Sequence, residues 1–299
     1  MSANTRGALL MMISMAAFTL NDTCVKLMGN DLPLFQIVTL RGALASILIY
    51  VLARSLGAIH FRMERNDWAL LGLRCAAEAA ATYFFLNALI NLPLANVTAV
   101  MQVLPLAVTL GAVLLFGEKV GWRRLVAILC GFLGMLLIVR PGPEGFSIHA
   151  IYALLAVLCV TVRDLSTRRM SAQVSSMAVT LVSCLSVFAF AAVGSLGVEW
   201  QPLTWRLAGL IGIASVFVMG GYLFSILVMR AGEVSFTAPF RYTGLLWALV
   251  LGWFFFGHWP DGLTLAGAGI VVGSGLFTLY RERTVAGDDG LAANASRHP

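Results

Sequence analysis

Charge is what this sequence has least of. Only 11% of its 299 residues are charged, against about 25% in an average soluble domain, so it cannot cover a water-facing surface of its size. There is no Gly-x-x-x-x-Gly-Lys-Ser/Thr loop, which excludes ATP hydrolysis by that device. No His-Glu-x-x-His occurs, and Gly273-Ser274-Gly275 lacks the flanking glycines of a nucleophile elbow. The five cysteines, Cys24, Cys75, Cys130, Cys159 and Cys184, show no metal-ligand spacing and all fall inside apolar segments. They read as small reduced packing residues, and neither a metal nor another cofactor is expected. The net charge of +6 is not a nucleic-acid footprint. Its basic residues sit singly or in pairs at the ends of apolar segments and form no stripe.

Apolar residues are what it has instead: 60% are hydrophobic, and the mean hydropathy is +0.89. Lipid must cover much of the chain. A spanning helix needs roughly 20 apolar residues, and ten such stretches are predicted, at about 7–28, 33–54, 68–90, 94–116, 121–140, 148–167, 175–197, 205–229, 235–257 and 261–280. Turn and interface signals separate them at Gly29-Asn30-Asp31, Leu92-Pro93, Pro141-Gly142-Pro143 and Trp259-Pro260-Asp261. The first stretch is too long for a cleavable signal, is followed by no small-residue cleavage site and carries Asn21-Asp22, so it is expected to stay as helix 1.

The basic residues also set an orientation. One set of loops holds Arg6, Arg54, Arg62, Arg65, Lys119, Arg123, Arg124, Arg168, Arg169, Arg230, Arg281, Arg283 and Arg297. The opposite set holds only Arg140 and Arg206, with Lys26 at the end of helix 1. By the positive-inside rule both termini are cytoplasmic, in a bacterial-type inner membrane.

The two halves repeat. Aligned without gaps, Ala8 to Met28 and Ala150 to Met170 share Ala8/Ala150, Thr19/Thr161, Asp22/Asp164 and Met28/Met170, and Lys26 faces Arg168. Tyr83-Phe84-Phe85 matches Tyr222-Leu223-Phe224, Thr98-Ala99 matches Thr237-Ala238, and Phe116-Gly117 matches Phe256-Gly257 one residue out of register. Five helices per repeat is an odd number, so the second half enters the membrane inverted. The expected fold is an all-α polytopic membrane protein of ten transmembrane helices in two inverted five-helix repeats. Residues 1–143 form the first, 144–283 the second, and 284–299 a small, polar, disordered cytoplasmic tail. Inverted repeats let one fold open to either side in turn, with the site near the repeat interface. Channels and some membrane enzymes repeat as well, so symmetry favours a transporter without proving one.

Charges inside the spans mark the candidate site, because each costs about 2.5–3.5 kcal/mol at mid-membrane unless it faces protein or water. Asp22 and Arg41 lie at similar depths, about 9 and 12 Å from the periplasmic end. They read either as a static pair or as a substrate or proton site, together with Asn21. Lys26 reads as snorkelling to the headgroups. Arg74 and Glu78 share a helix face at i,i+4 spacing, an internal pair by the plain reading, although Glu78 lies deep enough to exchange protons. Arg163 and Asp164 read as interface residues. Gln102 and Arg241 correspond at an offset of 139, each beside a helix breaker, Pro105 or Pro239, and Tyr242 adjoins Arg241. A proline frees a carbonyl one turn earlier, tolerated at depth only beside protein or a cavity. Polar group, aromatic ring and loosened backbone together suit a site for an amphipathic solute; kinked packing is the alternative. Tyr83, Tyr222 and Trp247 would add aromatic surface. Gly269 with Gly273, and Gly131 with Gly134, read as packing seams between helices, less readily as a dimer interface. Monomer and homodimer both stay open.

With these residues in place, the chain resembles the drug/metabolite transporter superfamily, specifically its EamA family. That family carries a polar residue late in helix 1, an arginine in helix 2, a proline midway along helix 4 and a Gly-Glu closing it. Asn21, Arg41, Pro105 and Gly117-Glu118 match these. In the second repeat His258 stands where the glutamate is usual and Gly244 where the proline is. The resemblance implies a secondary carrier with a central cavity and no enzymatic activity. Leu32-Pro33-Leu34-Phe35-Gln36 with Thr39-Leu40-Arg41-Gly42 looks most like the group containing bacterial riboflavin importers and S-adenosylmethionine carriers. Riboflavin uptake is the specific expectation. S-adenosylmethionine carriage or metabolite export on the same fold is the alternative, and an intramembrane enzyme the distant one.

Overall fold

The computed structural model describes residues 3–55, 63–117, 121–139, 147–171, 173–231 and 237–295. Among them there is no strand. Eleven α-helices follow one another: α1 (Ala3–Met28), α2 (Leu34–Ser55), α3 (Arg65–Asn91), α4 (Leu94–Met101), α5 (Leu104–Phe116), α6 (Trp122–Val139), α7 (Ile148–Arg169), α8 (Ser176–Gly194), α9 (Trp205–Ala231), α10 (Thr243–Phe256) and α11 (Gly262–Ala295). Because α4 and α5 are two parts of one span, these make the ten expected crossings. Eight are long and apolar enough to cross a membrane, and Leu125–Val139 and Gly262–Thr278 are shorter apolar helices. The chain is a multi-pass membrane protein. Leu114, Leu115, Trp205, Val216, Trp253 and Phe254 stand more than half exposed, which water would punish and hydrocarbon chains do not.

Two spans depart from continuous helix, both where prolines occur. The fourth breaks at Gln102-Val103, with Pro105 opening α5. The ninth begins as a 3₁₀ turn, Ala238–Tyr242, around Pro239. Both spans end alike, on Gly117 at φ 66° and Gly257 at φ 64°, the left-handed conformation that only glycine adopts without cost. Glu118, Arg140 and Glu144 lie outside the described residues. The last helix continues through 284–295, where composition reads as a disordered tail.

Packing repeats as the sequence does. The first span (α1) lies along the eighth (α9) and the third (α3) along the sixth (α7), which are the same pair under the repeat; the second packs on the seventh and the fifth on the tenth. Each half therefore interleaves with the other. Close approach is bought with small residues. Ser14 donates to the Gly221 carbonyl at 2.8 Å across α1 and α9. A Cβ on Gly134 would lie 2.9 Å from the Gly267 carbonyl, and one on Gly267 2.5 Å from that of Gly134. Gly134 is thus in the seam between α6 and α11, but Gly267 is its partner. Gly269 and Gly273 have open space beside them, so the expected Gly269–Gly273 packing face is not the one used.

Candidate functional site

Polar side chains from both halves form a discontinuous line through the bundle. It begins six residues before the end of α1. There Arg41 Nη1 on α2 donates to Asn21 Oδ1 at 2.8 Å, and Asn21 Nδ2 donates to Asp22 Oδ1 at 2.9 Å. Asn21 is 4% exposed, so its amide bridges the charged residues out of reach of bulk water. An amide suits this position because it accepts from the cation and donates to the anion at once.

Farther along, α3 meets α7. Arg163 Nη1 lies 3.2 and 3.3 Å from the two oxygens of Glu78, and its Nε lies 2.8 Å from Asp164 Oδ1. Arg74 completes the cluster: it is 3.8 Å from Glu78, donates to Ser183 at 3.2 Å, and also bonds Thr167. The i,i+4 pair read from sequence is therefore present but is the weaker contact of Glu78. Its main partner comes from the other repeat. Arg163, read as an interface residue, is instead the hub, with 22% of its side chain exposed. The repeat alignment held the missed signal, since Arg163 stands opposite Asn21.

The aromatic candidates divide. Tyr83 stacks on Phe35 with ring centroids 5.9 Å apart and contacts Tyr152 at 6.3 Å. Tyr222 meets Phe18 edge-on at 5.4 Å and lies within electrostatic range of Glu78 and Arg163. Gln102, at the break in the fourth span, has its amide beside Gly244, where Met15 of α1 also arrives. Tyr242 does not face this space. It is 6% exposed, and its hydroxyl sits against Gly275 of α11 without a hydrogen-bond partner, so it packs helices. Trp247 is also misplaced by the sequence reading. It stands on the exposed side of α10 with Leu246, Val250 and Phe254. Arg241 differs from all of these: it is exposed and makes neither a hydrogen bond nor an ion pair among the described residues, with Asp164 and Arg163 in electrostatic range. An apolar pocket of about 230 Å³, lined by Ala95, Leu249, Leu265 and Val272 among others, has no charged residue in its lining.

The ends of the bundle are tied off. Lys26 does not snorkel. It is 9% exposed, and its Nζ donates to the carbonyls of Leu89, Ile90 and Leu92 at 2.7, 3.0 and 2.7 Å, with the Phe256 ring 5.5 Å away. At the basic-rich end Arg169 lies 4.5 Å over Phe116. The two cation–ring contacts occupy matching places, each ring just before a left-handed glycine. Ser171 also donates twice to Asp67, at 3.0 and 2.7 Å, while Arg206 meets Asp31 at 3.4 Å at the other end.

Residues 5–140 and 147–280 each match the EamA-like transporter family model, and together they cover both repeats. The chain belongs to the EamA-like transporter family. This EamA-like transporter is 28% identical over 278 residues to the pseudopaline exporter CntI of Pseudomonas aeruginosa, covering 89% of this chain and 93% of that one. It is 25% identical to the S-adenosylmethionine uptake transporter of Rickettsia prowazekii, over 91% and 92%. It is also 25% identical to the riboflavin transporter of Vibrio cholerae, over 94% and 97%. A solved crystal structure, 18% identical, superposes with a TM-score of 0.62 over 94% of this chain and 99% of the other, a likeness of fold alone. The relatives are named as transporters and not as enzymes, and they differ in what they carry.

Proposed function

We propose that this transporter is a secondary carrier that moves a small polar organic metabolite across an inner membrane, with both termini in the cytoplasm. One observation carries the reading: the Glu78–Arg163 contact joins the two inverted repeats inside the bundle. A rocking of one repeat against the other must remake that contact, and a solute bringing its own charges can substitute for it. The tied ends fit alternating exposure, since opening either end requires only its own clamps to part. No nucleotide loop is present to drive the cycle, so the solute gradient or an ion gradient supplies the energy.

Two substrate readings have an observation each. Riboflavin uptake has the Phe35–Tyr83 stack, whose planes lie 25° apart and whose faces suit a flat ring. Carriage of a charged metabolite such as S-adenosylmethionine, inward or outward, has the line of ionic groups, which a neutral ring system leaves largely unused. Growth of a riboflavin auxotroph at low external vitamin, with no ATP-driven partner supplied, tests the first. Uptake of labelled S-adenosylmethionine by proteoliposomes tests the second. If the inserted protein transports neither solute and confers no resistance to an exported metabolite, the carrier reading fails.

A further inference from the structure

Gly269 packs against no other helix, and the apolar pocket lies beside it. The floor of this hollow is Ala99 of α4 and Leu245 of α10, 1% and 8% exposed; its rim is Leu265 and Gly269 of α11, both exposed. A Cβ built on Gly269 would meet nothing within 4 Å. The space arises because α11 lies along α6 rather than along α10, its neighbour in sequence. Leu246, Val250 and Ile270, each next in the chain to a residue of the lining, are exposed, so the hollow adjoins the surface that lipid covers. One end is Pro260, beside the exposed Trp259. From Thr264 to Val272 the helix rises about 12 Å, within one leaflet of a core roughly 30 Å thick. The corresponding place in the first repeat is filled. Leu106 matches Leu245 at the offset of 139; it is fully buried, and a methyl on Gly131 of α6 would fall on it. There protein itself supplies the hydrocarbon between the fourth and fifth spans, whereas Leu245 leaves the space between the ninth and tenth open.

We propose that the hollow binds one acyl chain of a bilayer phospholipid, which enters past Gly269 from the leaflet at the Trp259 end, the periplasmic one in the orientation proposed above. The lining offers the hydroxyl of Thr264, itself 4% exposed, and no charge, so a polar solute finds no partners to replace its water. An apolar cavity of about 150 Å³ already stays dry and takes a benzene-sized guest, and this one measures about 230 Å³. Left empty, it would forfeit the dispersion contacts of its walls, and the chains of neighbouring lipids are the apolar material at its rim. A second copy of the protein fits less well. A helix is about 10–12 Å across, too broad to pass the rim and reach Ala99 and Leu245.

The test uses the full-length protein in nanodiscs of phosphatidylethanolamine and phosphatidylglycerol that include a phospholipid with a photoreactive diazirine midway along one chain. Mass spectrometry then reads which residues are labelled. A chain inside the hollow should label the buried Ala99 and Leu245 as strongly as the exposed Leu246, while Leu106, just as buried, stays unlabelled. Gly269→Leu fills the entrance and should lower labelling of Ala99 and Leu245 at least about tenfold, since a close-packed site has no room for both, and leave Leu246 unchanged. Leu265→Trp, on the exposed rim, is a second block; Gly273→Leu, outside the lining, should change nothing. Melting temperatures show that each variant is folded. Unlabelled Ala99 and Leu245 in the wild type, equal labelling of Leu106, or labelling that both blocking variants leave intact overturns the site. Labelling abolished by saturating S-adenosylmethionine or riboflavin would give the hollow to the solute instead, and labelling found only in monomeric particles would give it to a second copy. No readout involves flux, so the site can fail while the carrier stands, and the carrier can fail while the site holds.

Discussion

Lys26→Met should unlock one end of the bundle. The ammonium satisfies three carbonyls at the end of α3 that have no helical donor left to them. Methionine fills a similar volume but donates nothing. Hydrogen bonds to a charged group are worth about 1.5–3 kcal/mol each, and the Phe256 contact adds about 0.5–1 kcal/mol. Desolvating the lysine and readmitting water to the carbonyls offset much of that sum. A net loss of about 2–4 kcal/mol is reasonable, which shifts an equilibrium between clamped and open ends by about 30- to 1,000-fold. Leu94, 1% exposed, lies near the clamp and reports it. In a cysteine-free background, Leu94→Cys should react with a membrane-impermeant maleimide slowly when Lys26 is present and at least about 30-fold faster when it is methionine, by the same conversion. Lys26→Arg, which keeps the charge, should fall between. Unchanged labelling together with unchanged melting temperature would refute the clamp and return Lys26 to a passive role.

Gly275→Ala should be among the most damaging small substitutions, because the new methyl would fall on the Tyr242 hydroxyl; a loss of about 1–3 kcal/mol or more is expected for overpacking of this kind, and Tyr242→Ala in the same chain should recover part of the melting temperature. Glu78→Gln should lower folded yield by leaving Arg163 and Arg74 short of a counter-charge, a loss of about 1–3 kcal/mol for a charge-assisted contact in a partly buried cluster where Arg163 keeps Asp164. Adding Arg163→Gln should restore stability but not transport, and additive losses in that double variant would show that the two residues act independently. Reporter fusions after Arg65, Arg124, Arg169 and Arg283 should read cytoplasm and those near Asp31 and Glu144 periplasm; reversal at any two would break the ten-span topology.

Much of this was legible in the chain itself. Hydrocarbon demands unbroken apolar stretches of fixed length with every backbone group bonded internally, so ten helices follow from composition and spacing. Asn21, Arg41 and the proline breaks could be found because polar groups and prolines are rare enough at that depth to stand out, and the repeat fixed which of them correspond. Partnership could not be read that way. Glu78 has Arg74 four residues away in sequence, yet its closer partner is Arg163, eighty-five residues on. Lys26 looks like a headgroup anchor until α3 ends above it with three bare carbonyls. Tyr242 adjoins Arg241 in the chain but turns to Gly275, and Trp247 turns outward. In a helix whose every face is apolar, periodicity does not say which side meets lipid, a neighbour or the solute path. Lipid and protein interior solvate leucine equally well, so the choice falls to the packing of one helix against the next, which only the tertiary structure decides.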